Sequence, residues 1–288
     1  MTPSNAPRPT SFAQPMTPAA PPASPRCMTI AQLAPRGGWQ LGLMHDRPEH
    51  LLLWTTKGQG RVTVDGLRRG VSVHNAIFLP AGTLFSFEIG AQGFGQAVAM
   101  TPRADAALPD APSHLRIRDA FAQSELTALL EAMQREQSGG RAFAAEALSA
   151  HAALVSVWLR RQLAAQETPA PETAAQRLVR RYCRLLVQGF RSERVMADYA
   201  AQLDVTPTHL SRVCKECAGL SAADLLTQRT LHAARSALAE PVPSVQEIAQ
   251  ALGFSSAAYF TRFVQHHTGQ TPTALRRASQ QANPARAR

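Results

Sequence analysis

Apolar residues between about Gly38 and Met100 fall in short runs, HLLLWTT, GRVTVDG, LRRGVSV, NAIFLP, LFSFEI and GQAVAM, separated by the turn signals K-G-Q-G, V-D-G and P-A-G. Strands of about five residues at this close spacing predict a small antiparallel sandwich or barrel. Alternation places His50, Leu52 and Trp54 on one face of their strand and Phe85 and Phe87 together on a face of theirs. It does not say which face points inward. The period then lengthens to that of a helix over Asp119–Gln137 and Arg141–Gln166, split by Ser138-Gly139-Gly140. Their apolar stripes, with Phe121, Leu126, Leu129, Leu130 and Met133 in the first and Leu148, Leu154, Val155 and Trp158 in the second, either pack on the barrel or form a dimer interface. Residues 1–25 are rich in Pro, Ala, Ser and Thr with no periodicity and predict a disordered tail. The prolines of TPAPE cannot continue a helix, so residues 168–173 read as a linker between a first domain at 26–167 and a second at 174–288.

Everything beyond the linker is helical in pattern. The periodicity predicts helices over Ala174–Phe190, Val195–Leu203, Pro207–Ala218, Ser221–Ala239, Ser244–Leu252, Ser256–Thr268 and Thr273–Ala278. One arrangement occurs twice, in MADYAAQLDVTPTHLSRVCKECAG and in VQEIAQALGFSSAAYFTRFVQHHTG. A short helix, a tight turn after Leu, a hydroxyl start signal and a longer amphipathic helix ending at Gly make a helix-turn-helix unit. In the first unit Leu210, Val213 and Cys214 share a buried stripe, which leaves Thr208, Ser211, Arg212 and Lys215 on the outer one. In the second, Tyr259, Phe260, Phe263 and Val264 are the expected apolar contacts, and Ser256, Ala257, Thr261, Arg262 and Gln265 are expected to face outward.

Charge sharpens this picture. The chain of 288 residues has a formal net charge of +10, divided unevenly: residues 1–174 carry 15 basic and 13 acidic side chains, residues 175–288 carry 15 and 7, net +8. A basic half built from two helix-turn-helix units points to double-stranded DNA, and Arg212 is suited to the O6 and N7 of guanine. All but two of the basic residues, Lys57 and Lys215, are arginine. Four cysteines make no disulfide framework, and the N-terminus has neither a basic n-region nor an apolar h-region, so a cytoplasmic protein is expected. The most apolar long stretch is broken by Glu146 and His151 and predicts no membrane span.

These residues resemble the AraC/XylS family of bacterial transcription regulators over about the last 100 positions. The resemblance is carried by Ile248-Ala249, Leu252-Gly253-Phe254, Ser256, Tyr259-Phe260, Arg262, Gly269 and Thr271-Pro272, with Val264 where the family usually has Phe. It implies seven helices, and base contacts from Thr208, Ser211 and Arg212 in the first unit and from Ala257, Ala258 and Arg262 in the second. Alanine cannot hydrogen-bond a base edge, so the second unit is expected to position phosphate more than it reads sequence. The front half resembles the family's regulatory domain, a cupin-like β-barrel followed by dimerisation helices, with Pro80 and Gly82 forming the turn typical of cupins. The fold expected is therefore α+β, a barrel followed by an all-α double helix-turn-helix domain. Metal-binding cupins carry a His three residues after that glycine, where this chain has Phe85, and the usual His-x-His pair is absent, His45 and His50 being five apart. No metal, no other cofactor and no catalysis are expected.

Trp54, Phe78, Phe85 and Phe87 are candidates to line an effector pocket in the barrel, with His50 or an arginine to meet a carboxylate, although ordinary core packing explains the same residues. Cys214-x-x-Cys217 lies late in a helix with Cys214 on its buried stripe, where packing is favoured over thiol sensing or zinc. His266-His267 at a helix end could touch phosphate or simply cap the helix with positive charge, and the helix-end surface role is favoured. The reading that emerges is a dimeric, sequence-specific activator that binds a small molecule in the barrel, DNA through the helices, and RNA polymerase. The competitors are a metal-dependent cupin enzyme fused to a DNA-binding module and an architectural DNA binder without effector.

Overall fold

A computed structural model describes residues 24–102, 108–166, 171–192 and 194–281. Residues 1–23 of the expected tail and 168–170 of the expected linker lie outside the described residues. The chain opens with β1 (Arg26–Thr29), α1 (Ile30–Leu33) and α2 (Trp39–Gly42), then runs through β2 (His50–Lys57), β3 (Gly60–Val64), β4 (Leu67–Val71), β5 (Asn75–Leu79), β6 (Phe85–Ile89), β7 (Phe94–Met100) and β8 (Ser113–Arg116). The strands form a five-stranded sheet in the order β1-β7-β2-β5-β8 and a three-stranded sheet in the order β4-β3-β6. All six predicted runs are strands; β1, β8, α1 and α2 carry no pattern long enough to announce them. Between β3 and β4 the V-D-G signal is a two-residue turn: Val64 pairs with Leu67, and Asp65 and Gly66 both have positive φ, 46° and 76°. That is the type I′ geometry that matches the twist of its strands.

The larger sheet is buried on both faces, which explains why β2 and β5 read as continuous apolar runs. Leu51, Leu53, Ile77, Phe85 and Phe87 fill the space between the two sheets. Leu52, Trp54, Phe78 and Val98 face the other way, onto α3 (Ala120–Ser138) and α4 (Ala144–Ala164). The choice left open between packing and dimerisation resolves toward packing for Leu126, Leu130, Met133, Leu148, Val155 and Trp158, all buried against this sheet. The Trp158 indole N–H donates to the Ala122 carbonyl, 2.9 Å, and locks the helix pair. Phe121 (76% exposed) and Leu154 (51%) stay outside.

The second half contains α5 (Ala174–Gly189), α6 (Met196–Gln202), α7 (Pro207–Ala218), α8 (Ala222–Leu238), α9 (Val245–Ala251), α10 (Ala257–Thr268) and α11 (Pro272–Gln281), seven among the described residues as the resemblance implies. Hydroxyl N-caps at Thr173, Thr206, Ser221, Ser244 and Ser256 accept backbone N–H groups that open five of them. Their shared core includes Val179, Tyr182, Leu186, Leu210, Cys214, Ile248, Phe260 and Val264, and it also takes in Met44 and Leu84 from the first half.

The two halves are therefore packed together. The Asp65-Gly66 turn lies against α5, where a Cβ on Gly66 would come within 2.1 Å of Val179 Cγ1. On α8, Arg229 is ion-paired to Asp46 at 2.5 Å, with its guanidinium 3.8 Å from the Phe190 ring centroid. His232 stacks on His45 with ring centroids 4.4 Å apart, Arg235 lies over Trp39 at 4.4 Å, and Arg36 pairs with Glu240 at 3.0 Å.

Candidate nucleic-acid interface

Each helix-turn-helix unit is built around a left-handed residue in its turn. In the second unit this is Gly253, φ 76°, where a Cβ would meet the Arg191 carbonyl oxygen at 2.7 Å. In the first unit Asp204 holds the same place at φ 57°. Short polar side chains tolerate that region better than most, so the unit closes without glycine. The turn is one residue longer in the second unit, with three residues between Leu252 and the cap Ser256 against two between Leu203 and Thr206.

In α7, Thr206 accepts the His209 N–H at 3.2 Å and Pro207 occupies the first helical position. Leu210, Val213, Cys214 and Ala218 are buried, and Gly219 ends the helix at φ 74°. The opposite face presents Thr208, Arg212 and Lys215 exposed and Ser211 half-buried. Arg212 is held loosely: one amino group lies 3.2 Å from His209 Nδ1 and the other 4.0 Å from Glu216. An exposed ion pair at that range contributes little and leaves the guanidinium free to turn toward another acceptor.

In α10, Ser256 accepts the Tyr259 N–H at 3.1 Å, and Phe260 and Val264 are buried. Ser256, Ala258, Arg262 and Gln265 are exposed, and Thr261 is half-buried with its hydroxyl donating to the Ala257 carbonyl at 2.8 Å. Two expectations need correction. Ala257 is half-buried against the core, because the first turn of α10 tucks under the bundle. Tyr259 is 52% exposed and only leans its ring on Phe254, centroids 5.6 Å apart, so its phenol belongs to the outer surface. Periodicity alone suggested otherwise, since Tyr259 directly precedes the buried Phe260. His266 and His267 are exposed at the helix end, with His267 edge-on to Phe263.

Cys214 is fully buried and burial pushes its thiol up to about 12, so the reactive thiolate is scarce at neutral pH. Cys217, half-buried, is raised by burial too. Among the described residues no group of three or more His, Cys, Asp or Glu could hold a metal ion, and no helix is long and apolar enough to cross a membrane.

The five candidate effector residues do not converge on one cavity. Phe85 and Phe87 fill the space between the sheets. Trp54 and Phe78 lie on the other side of the larger sheet, under α3 and α4. His50 stacks on Phe78, centroids 6.0 Å apart, and its Nδ1 accepts the Ala81 N–H at 3.2 Å, so it holds the turn after β5. A single pocket for all five is excluded by the larger sheet itself, which is covered on both sides and stands between the two sets.

A family model described as a helix-turn-helix domain matches residues 199–278. The probable transcription factor PqrA of Proteus vulgaris is 37% identical over 87 residues, covering 30% of this chain and 71% of that protein. The HTH-type transcriptional regulator GlxA of Rhizobium meliloti (strain 1021) is 40% identical over 75 residues, 26% of this chain, and the match spans only 23% of that regulator's length. Among solved structures, an apo ToxT variant from Vibrio cholerae strain SCE256 aligns over 82% of this chain and 91% of its own, with 11% identity and a TM-score of 0.40. Two capped helix-turn-helix units with free polar faces, together with the extent of the PqrA match, lead to one conclusion: the chain belongs to the AraC/XylS family of transcription regulators.

Proposed function

We propose that the protein is a sequence-specific transcription regulator, an activator, that grips promoter DNA with α7 and α10 and answers to a small molecule held in its first half. The observation that carries this reading is the pair of polar helix faces joined by α8. Seventeen residues of α8 at 1.5 Å each span about 25 Å. Successive major-groove segments on one face of B-DNA lie about 34 Å apart. Both units can therefore enter neighbouring grooves when the DNA bends or one helix tilts. Thr208, Ser211, Arg212 and Lys215 supply base and phosphate contacts in the first unit. In the second, Ser256 and Arg262 supply them, with Ala258 limited to a thymine methyl.

Residues 26–167 form the effector-binding and dimerisation unit, 168–173 the linker and 174–288 the DNA-binding unit in this reading. Phe121 on α3 and Leu154 on α4, both exposed, offer apolar surface to a second copy, and RNA polymerase is the further partner. The mechanism is a shift of population between arrangements of the two halves, and it involves no covalent chemistry. The setting is the cytoplasm.

The test is to recover the genomic fragments bound by the full chain and to compare affinity for a recovered site with a shuffled one at fixed salt. The specific site should bind roughly 1,000-fold or more tighter. Affinities equal within a few-fold, falling together with salt, would establish the architectural binder instead.

A further inference from the structure

A cleft of about 350 Å³ opens between the outer face of the larger sheet and α3, lined by Trp54, Thr56, His74, Gln123, Thr127 and Glu131 among others. Its volume lies at the small end of the roughly 300–1,000 Å³ typical of ligand sites. Several independent features meet there. Trp54 is 1% exposed, yet among the described residues its indole N–H meets no acceptor. Buried donors are nearly always paired, so an unpaired one on a residue that lines a cleft is a place for a ligand acceptor, a role that the π face of an aromatic ring can fill. His74 stacks on the Trp54 ring, centroids 5.7 Å apart and planes 18° from parallel. It does so from a left-handed backbone, φ 60°, held by its own N–H donating to the Thr55 carbonyl at 2.7 Å and by the Ile117 N–H donating to its carbonyl at 2.9 Å. Strain of this kind in a non-glycine residue collects at binding sites. β2 is also irregular here: its register to β7 steps from Thr55 opposite Gly95 to Lys57 opposite Phe94, leaving Thr56 as a bulge.

The lining chemistry defines the occupant. Thr127 spends its hydroxyl proton on the Gln123 carbonyl at 2.8 Å, and the Gln123 amide donates to the Ile117 carbonyl at 3.0 Å. Both side chains therefore keep oxygen lone pairs for something else. Glu131, two turns along the same helix face, is exposed and has no ion-pair partner among the described residues. The lining has a carboxylate and several acceptor oxygens but no Lys or Arg, and its donors are the neutral Trp54 indole and the His74 ring; this disfavours an anionic occupant, and the adjoining rings suit a flat apolar body.

We propose that this cleft, outside the sandwich rather than within it, binds a small organic cation in which a flat apolar body carries a protonated amine, the amine meeting Glu131. The assignment refines the effector-controlled reading given above and depends on it only for what binding accomplishes.

The test is isothermal titration of the full chain with 2-phenylethylamine and with phenylacetate, which share a ring and carry opposite charge. The amine should bind saturably, one per chain, and at least ten-fold tighter than the acid. Glu131→Gln, an exposed substitution that leaves the core intact, should weaken the amine at least ten-fold, and Glu131→Asp should recover part of the loss. No saturable binding, a preference for phenylacetate, or equal affinity in Glu131→Gln would overturn the proposal. DNA affinity measured with and without the amine separates the two readings. Saturable, Glu131-dependent binding that leaves DNA affinity unchanged upholds the site and overturns effector control.

Discussion

Arg212 and Arg262 stand at the same place in their units, six residues after the capping hydroxyls of Thr206 and Ser256, and both are exposed. Their neighbours differ: Thr208 in the first unit corresponds to Ala258 in the second. Arg212→Ala is therefore expected to cost about 1–3 kcal/mol at the cognate site and to relax base preference there. The measurement is anisotropy titration of cognate and random duplexes at fixed salt; equal losses on both would make Arg212 a phosphate contact. The two turn residues also behave differently as single positions. Gly253→Ala combines a left-handed backbone with a Cβ 2.7 Å from the Arg191 carbonyl oxygen. A loss of about 1–3 kcal/mol in chemical unfolding follows, and no loss would show that the loop before α6 moves aside. Both positions were legible in the sequence, because leucine, a turn residue and a hydroxyl in close succession have few other readings.

Among the elements, α8 has more than one role. It spaces the two units, and it faces the first half through Arg229, His232 and Arg235. Arg229 is only 6% exposed, and a buried cation deprived of its partner is costly. Asp46→Asn should therefore destabilise the whole chain by about 3 kcal/mol in urea unfolding. A change within about 0.5 kcal/mol would mean that the Phe190 ring and water suffice for the guanidinium. Little of this could be read beforehand, since Arg229 and Asp46 are 183 positions apart and nothing in either segment's period names the other. The same limit explains β2. Its length and apolar run were plain, but a strand covered on both sides loses the alternation that would say which side faces helices. β1 and α1, each of four residues, are too short for any period to register.

At the scale of the whole molecule, the contact between the halves responds to acid. Burial is the main reason the His232 imidazole is pushed down to about 3, with Arg229, Arg47 and Arg235 adding to it against the Gln40 carbonyl. His45 is pushed well below its usual range by burial and by His232 and Arg47. Folded-state values below the unfolded one mean that the open chain binds protons more readily, so this contribution is complete above about pH 6.5 and is lost as pH falls from there toward 3. The melting temperature should drop between pH 7.5 and 5.5, and it should drop less in His232→Gln; identical pH profiles would remove these histidines from the account. Sequence made the second half and its partner class legible through the repeated unit and the +8 charge. Trp54 was already a candidate to line a pocket, but Glu131 was not, because the two come to line one cleft only through the packing of α3 on the sheet. One further consequence comes from Met44 and Leu84, which complete the core of the helical half. Any replacement of the first half would have to supply two side chains that fill the same place. A chimera joined at the linker without them would carry a hole in the core of its own helical half.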